Sequence, residues 1–153
     1  IMGSKADIEW AKKIKEVIEK FEVEVVMRIA SAHKVPLKVL EIIKEYEKED
    51  VVFITVAGRS NALSGFVDAN TSKPVIACPP YSDKFAGVDI FSSLRMPSGV
   101  APLVTLEPEL AGISAIKILS LKYPILREKI KEYQKKMKEE IEQQDMEIRN
   151  GKC

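Results

Sequence analysis

The sequence is poor in the residues that build metal centres and disulfide frameworks. Its 153 residues include one histidine and two cysteines, Cys78 inside an apolar run and Cys153 at the last position. A structural zinc site needs about four closely placed Cys, His or acidic ligands, and these residues are too few and too far apart. We therefore expect no metal site and no disulfide framework, as is typical of a reduced, cytoplasmic protein.

A charge excess and a long apolar run are also missing. Lys and Arg number 24 against 23 Asp and Glu, whereas nucleic-acid-binding domains usually carry a clear basic excess. No apolar stretch approaches the roughly 20 residues that span a bilayer, and no basic-then-apolar leader opens the chain. We therefore expect neither nucleic acid nor membrane as a partner. Since the chain has no Walker loop and no GxGxxG motif, nothing in it supports ATP or NAD binding.

What the chain does contain is an alternation of strand-like and helix-like runs, which predicts an α/β domain with a mainly parallel sheet. Apolar or β-branched runs predict strands over 23–29, 51–57, 74–78 and 102–106. Amphipathic runs predict helices over 8–21, 36–46, 61–67 and 109–121. The connection from 79 to about 100 is long enough to be functional or to contain short helices. Residues 1–4 resemble the end of a buried strand, so we expect further residues before Ile1.

The C-terminal segment differs from the rest in composition. Residues 125–148 are dense in Lys and Glu and carry a thin apolar stripe that includes Met137 and Ile141. A helix with so narrow a stripe usually needs a partner surface, so we expect it to pack against another subunit. We predict one flavodoxin-like three-layer domain over 1–121, extended by a C-terminal helix within 122–153.

Three segments are candidates for the functional site. In a doubly wound sheet, ligands bind beyond the carboxyl ends of the strands, where helices begin. This rule selects 3–7, 31–34 and 57–61, each of which follows a predicted strand and precedes a predicted helix. Each also carries small or polar residues, which allow the backbone to approach a ligand closely.

The first segment suits a phosphate. Gly3 permits close approach, and a helix start offers unpaired amides and a positive dipole end. The hydroxyl of Ser4 and the carboxylate of Asp7 could add hydrogen bonds to a sugar phosphate. The same Ser-x-x-Asp pattern also matches a capping box, which requires no ligand.

The other two segments suit proton transfer and anion binding. His33 belongs to the residue type that changes protonation near neutral pH, which makes it the obvious proton carrier. Lys34 beside it supplies a cation for a phosphate or carboxylate. Alternatively, His33 merely hydrogen-bonds a loop carbonyl. Consecutive amides around Gly58, Arg59 and Ser60 could bind a carboxylate, unless Ser60 or Asn61 serves only as a helix cap.

Several longer motifs then resemble those of the aminoimidazole ribonucleotide carboxylase family over roughly residues 1–121. They are IMGSKAD, SAHKVP, VAGRSNALSGFVDAN, PVIACPP and SSLRMPSGV, in that order. The resemblance implies an enzyme of purine biosynthesis that joins 5-aminoimidazole ribonucleotide and carbon dioxide without a cofactor or ATP. It also implies a homo-octamer with active sites shared between subunits.

The resemblance assigns roles to individual residues. Ser4, Asp7, Ser31 and Lys34 would hold the ribose phosphate, Gly58 and Ser60 the carboxylate, and His33 would move the proton. Arg59 and Asn61 are further possible contacts. One departure is Ala6, which stands where the family pattern has serine and so weakens the expected phosphate contact.

The family has a direct carboxylase branch and a mutase branch that migrates a carboxylate from nitrogen to carbon. Four positions resemble the direct branch. The mutase usually has arginine at the position of Lys34 and a small residue at that of Arg59. It usually has a second histidine at the position of Ala62 and proline at that of Ser64. The mutase remains the main alternative. A non-catalytic flavodoxin-like module is a weaker one, because the strand ends lack the acidic cluster of a receiver domain.

Overall fold

The computed structural model describes residues 1–151 and shows a parallel sheet with helices on both faces. In the described residues the strands are β1 (Phe53–Thr55), β2 (Val75–Ala77) and β3 (Leu103–Val104), paired in that order. The α-helices there are α1 (Ile8–Glu19), α2 (Pro36–Glu45), α3 (Ala62–Asp68), α4 (Phe91–Leu94), α5 (Pro108–Leu119) and α6 (Pro124–Arg149). Short 3-10 segments cover Lys5–Asp7 and Lys84–Ile90, the second being kinked by left-handed backbone at residues 85–87. Cys153 lies outside the described residues.

Met2 extends this sheet towards the start of the chain. It forms parallel bridges with Ile29 on one side and with Val56, just after β1, on the other. The spatial order is therefore 23–29, 1–2, β1, β2 and β3, which is the flavodoxin-like order of a doubly wound sheet. The prediction of a mainly parallel α/β domain is confirmed.

The predicted strand over 23–29 is wrong in extent. Within the described residues only Ile29 of this run enters a bridge, and 23–28 carry no ladder. A β-branched run favours extended backbone, but a ladder forms only where a neighbouring strand offers its amides and carbonyls. The bridge that is seen joins Met2 to Ile29, at the end of the run.

Two buried clusters cover the two faces of the sheet and give three layers. Sheet residues alternate between the clusters, with Ile76 in the first and Val75 in the second, because successive strand side chains point to opposite faces. The first cluster takes its helical members from α1, α5 and α6, including Ile14, Ile18, Ala115, Ile116 and Leu126. The second takes them from α2 and α3, including Val39, Ile42, Ile43, Leu63 and Val67.

The C-terminal helix α6 docks on the domain through its first half only. Leu126 and Ile130 are buried in the first cluster, and the ring of Tyr133 packs 5.8 Å from the ring of Phe21. From residue 135 to residue 150 every side chain is exposed. The predicted long C-terminal helix is confirmed.

In the part of the chain that the structure describes, no helix combines the length and apolarity needed to cross a membrane.

Candidate active site

The three segments selected from the sequence lie next to one another at the carboxyl edge of the sheet. The bridged residues Ile29, Met2 and Val56 end at this edge, and they are followed by 31–34, 3–7 and 57–61 respectively. Because the chain leaves the strand of Met2 in one direction and later returns to its other side at β1, the strand order reverses here. This is the switch point at which doubly wound sheets bind ligands.

Segment 3–7 forms the capping box that the sequence allowed. The Ser4 hydroxyl accepts a hydrogen bond from the Ala6 amide at 3.2 Å and donates one to Asp7 Oδ2 at 3.0 Å. The Ser4 amide donates to the same oxygen at 2.9 Å. A Cβ added to Gly3 would lie 3.4 Å from Cβ of Ala57, so segments 3–7 and 57–61 are neighbours at this point. The cap therefore fixes Ser4 and Asp7 at the entrance to α1, where a helix start favours an anion.

Segment 31–34 is a tight turn that leads into α2. The Ser31 carbonyl accepts hydrogen bonds from the amides of Lys34 at 3.2 Å and Val35 at 2.9 Å, and Pro36 then begins the helix. The turn presents the side chains of His33 and Lys34 to solvent. Among the described residues neither side chain has a hydrogen-bond or ion-pair partner, so the loop-carbonyl bond considered for His33 is not seen. An exposed imidazole can exchange protons with solvent and with a bound ligand.

Segment 57–61 is a turn between β1 and α3. Gly58 is half-buried, Arg59 and Ser60 are exposed, and Asn61 is only 4% exposed. Asn61 Oδ1 accepts a hydrogen bond from the Ser64 amide at 3.1 Å, so Asn61 is the cap of α3. The structure thus gives Asn61 a scaffold role and leaves Gly58, Arg59 and Ser60 at the surface of the site.

A cavity of about 250 Å³ adjoins Gly58 on the β2 side. Its walls come from the ends of β2 and β3 and from the 3-10 helix Lys84–Ile90, with members that include Pro79, Pro80, Asp89, Ile90, Leu106 and Glu107. Sequence reasoning did not select these residues, although it predicted that the 79–100 connection is functional or contains short helices, and short helices are found there. The strand-end rule, applied also to the strands over 74–78 and 102–106, would have found Pro79, Pro80, Leu106 and Glu107.

Nucleophilic and metal chemistry have little support in the described residues. Cys78, just after β2, is fully buried, and burial raises the pKa of its thiol. Because the thiolate is the reactive form, Cys78 is a poor nucleophile. No group of three or more potential metal-ligating side chains occurs among residues 1–151. The chemistry that these residues can offer is proton transfer by an imidazole and electrostatic binding of an anion.

Fold and site together define a doubly wound α/β protein whose candidate ligand site lies at the switch point of a flavodoxin-like sheet. The family model for AIR carboxylase matches residues 1–140, which include all three site segments. The chain belongs to the AIR carboxylase family.

Individual relatives agree with this assignment. The chain is 65% identical over 149 residues to a phosphoribosylaminoimidazole carboxylase of Archaeoglobus fulgidus, covering 97% of this chain and 83% of the relative. It is 45% identical over 151 residues to the phosphoribosylaminoimidazole carboxylase of Treponema denticola, covering 97% and 95%. A crystal structure of Treponema denticola PurE superposes with a TM-score of 0.92 at 46% identity, covering 95% of this chain and 94% of that one.

Proposed function

We propose that the protein reversibly carboxylates 5-aminoimidazole ribonucleotide with carbon dioxide to 4-carboxy-5-aminoimidazole ribonucleotide, in purine biosynthesis and without ATP. The observation that carries this proposal is the family match over residues 1–140, together with the exposed imidazole of His33 at the switch point. The high identity to a carboxylase over 97% of the chain supports the same reaction.

The proposed reaction needs one proton acceptor and one anion site. The substrate ring is an enamine, so its C4 carbon attacks carbon dioxide, a C–C bond forms, and one C=O electron pair moves to oxygen. C4 is then tetrahedral and must lose its proton to restore the aromatic ring. His33 takes that proton, and returns it in the reverse decarboxylation. Positioning and stabilisation of the developing carboxylate supply the remaining acceleration.

Substrate binding is proposed to use all three segments. Ser4 and Asp7, held at the start of α1 by their cap, bind the ribose phosphate together with Ser31 and the cation of Lys34. Gly58 and Ser60 bind the carboxylate at the neighbouring turn.

Arg59 and Asn61, the two further candidates for substrate contacts, differ in how available their side chains are. Arg59 is exposed next to this turn and is available to an anion, whereas the polar atoms of the Asn61 side chain are engaged with Ser64 and Ser93. We therefore retain Arg59 as a possible contact and assign Asn61 to the scaffold.

The test is a paired assay. Purified protein is supplied with 5-aminoimidazole ribonucleotide and dissolved carbon dioxide, and separately with the N-carboxylated substrate of the mutase branch. We expect product from the first mixture only. Turnover of the N-carboxylated substrate alone would assign the chain to the mutase branch, and no turnover of either would refute the proposed function.

We further propose that the enzyme acts in the cytoplasm as a homo-oligomer, and specifically as an octamer. Support for assembly comes from α6, where Met137, Ile141, Met146 and Ile148 expose about half or more of their area. Apolar side chains repeated along one exposed helix are typical of a helix that packs on a partner. In an oligomer this helix lies on a neighbouring copy of the chain.

A further inference from the structure

A buried hydrogen-bond network joins the 57–61 turn to the short helix α4, which is far away in sequence. The backbone amide of Asn61 donates to Ser92 Oγ at 3.0 Å, and its side-chain amide donates to Ser93 Oγ at 2.9 Å. Asn61 Oδ1 accepts from Ser64 at the start of α3. Asn61 therefore connects two helices at the point where the turn ends.

The Asn61–Ser93 part of the network is shielded from solvent, and Ser92 is half-buried. Asn61 is 4% exposed and Ser93 is 1% exposed. The hydroxyl of Ser92 donates onward to the carbonyl of Asp89 at 2.7 Å, and Asp89 lines the cavity beside Gly58. The chain of bonds thus links Asn61, three residues after Gly58, to Asp89 in the cavity wall. Buried polar groups that satisfy one another favour a single arrangement, because each unpaired alternative leaves a desolvated donor or acceptor.

We propose that Ser92, Ser93 and Asn61 are positioning residues that fix the Gly58–Ser60 turn for the carboxylation step. Within residues 1–151 the turn itself shows no comparable anchor: Arg59 and Ser60 are exposed, and the Ser60 carbonyl accepts a hydrogen bond from the nearby Ala62 amide at 2.9 Å. A site that stabilises a developing carboxylate works only while its donors are held in place. The three side chains act through the turn and need not touch the substrate.

This inference rests on the proposed function, and it predicts a split in the kinetic constants. Ser93→Ala leaves the Asn61 side-chain amide unpaired and lets the turn shift, so we expect kcat to fall by about 10- to 100-fold. Because the phosphate end of the substrate binds at 3–7 and 31–34, its KM should change less than about threefold. Ser92→Ala removes the bond from the Asn61 backbone amide, at a less buried position, and we expect kcat to fall in this variant as well.

The matched control is Ser120→Ala. Ser120 is also buried, and its hydroxyl donates to the Lys117 carbonyl at 2.7 Å. It lies at the C-terminal end of α5, whereas the site lies at the edge where that helix begins. Ser120→Ala should lower the melting temperature without lowering kcat measured well below that temperature. Equal kcat in Ser92→Ala, Ser93→Ala and Ser120→Ala would overturn the positioning role.

Hydrogen–deuterium exchange of residues 57–62 separates this inference from the proposed function. In Ser93→Ala, and not in Ser120→Ala, exchange in this peptide should become faster, whether or not the protein turns over the substrate. If the wild-type protein is inactive in the paired assay, the proposed function fails while this measurement still tests the anchoring. Unchanged exchange in Ser93→Ala would refute the anchoring itself.

Discussion

At the scale of single residues, His33 is the group on which the proposed chemistry depends. We expect His33→Asn to lower kcat for carboxylation by about 100-fold or more, since general-base catalysis contributes about 10²–10⁴. The side chain is exposed and has no partner in the described residues, so the melting temperature and the affinity for the nucleotide should stay close to wild type. Steady-state kinetics and a binding titration check both parts. Near-normal turnover would remove His33 from the mechanism.

Lys34 is expected to act on binding and not on the proton. Loss of a charged hydrogen-bond donor to a phosphate or carboxylate costs about 1.5–3 kcal/mol, so Lys34→Ala should raise the dissociation constant of 5-aminoimidazole ribonucleotide at least about tenfold. Lys44→Ala, in the last turn of α2, removes the same charge far from the site and should leave the affinity unchanged. Isothermal titration calorimetry distinguishes the two variants. An unchanged affinity in Lys34→Ala would contradict the proposed contact.

At the scale of elements, the contact between α1 and α5 depends on a glycine. A Cβ added at Gly112 would lie 2.9 Å from Val17 Cγ1 and 3.0 Å from Val17 Cβ. Alanine normally stabilises a helix interior by about 0.5–1 kcal/mol over glycine, but overpacking costs about 1–3 kcal/mol. We therefore expect Gly112→Ala to lower the free energy of unfolding by about 1 kcal/mol, as measured by urea denaturation.

A double-mutant cycle tests the cause of that loss. If the Val17 methyl groups are responsible, Gly112→Ala should cost less in a Val17→Ala background, because the contact with Cγ1 at 2.9 Å is removed while the contact with Cβ at 3.0 Å remains. An equal loss in both backgrounds would mean that the Val17 methyl groups are not its cause.

The element scale also shows where sequence patterns are reliable. The sequence predicted the capping box at Ser4 and Asp7 and the helix that follows it, because the interacting residues are three positions apart. The run over 23–29 shows its pairing at Ile29, because a ladder needs a second strand, which the composition of the run itself cannot report. The bonds from Asn61 to Ser92 and Ser93 span 31 and 32 positions and left no local pattern.

At the scale of the whole molecule, the exposed second half of α6 is the part of the chain that we expect to hold the subunits together. Ile141 is 62% exposed, and a lysine there would place a charge on the proposed subunit contact. We expect Ile141→Lys to shift sedimentation velocity profiles towards smaller species. Gln143→Lys adds the same charge at a polar exposed position of the helix and should leave assembly intact. A wild-type protein that sediments as a monomer, or an Ile141→Lys variant that assembles normally, would refute the contact.

The amino-acid sequence by itself determined the fold class, the main helices, the family resemblance and the three segments that carry the candidate residues. These features are encoded locally, through periodicity, caps and strand ends, so each could be recognised within a few residues of chain. Only the tertiary structure decided that Asn61 is a buried cap bonded to α4 and that a cavity adjoins Gly58. Those features depend on groups brought together from distant parts of the chain, and packing and hydrogen bonding between such groups appear only when the sheet and its helices are assembled.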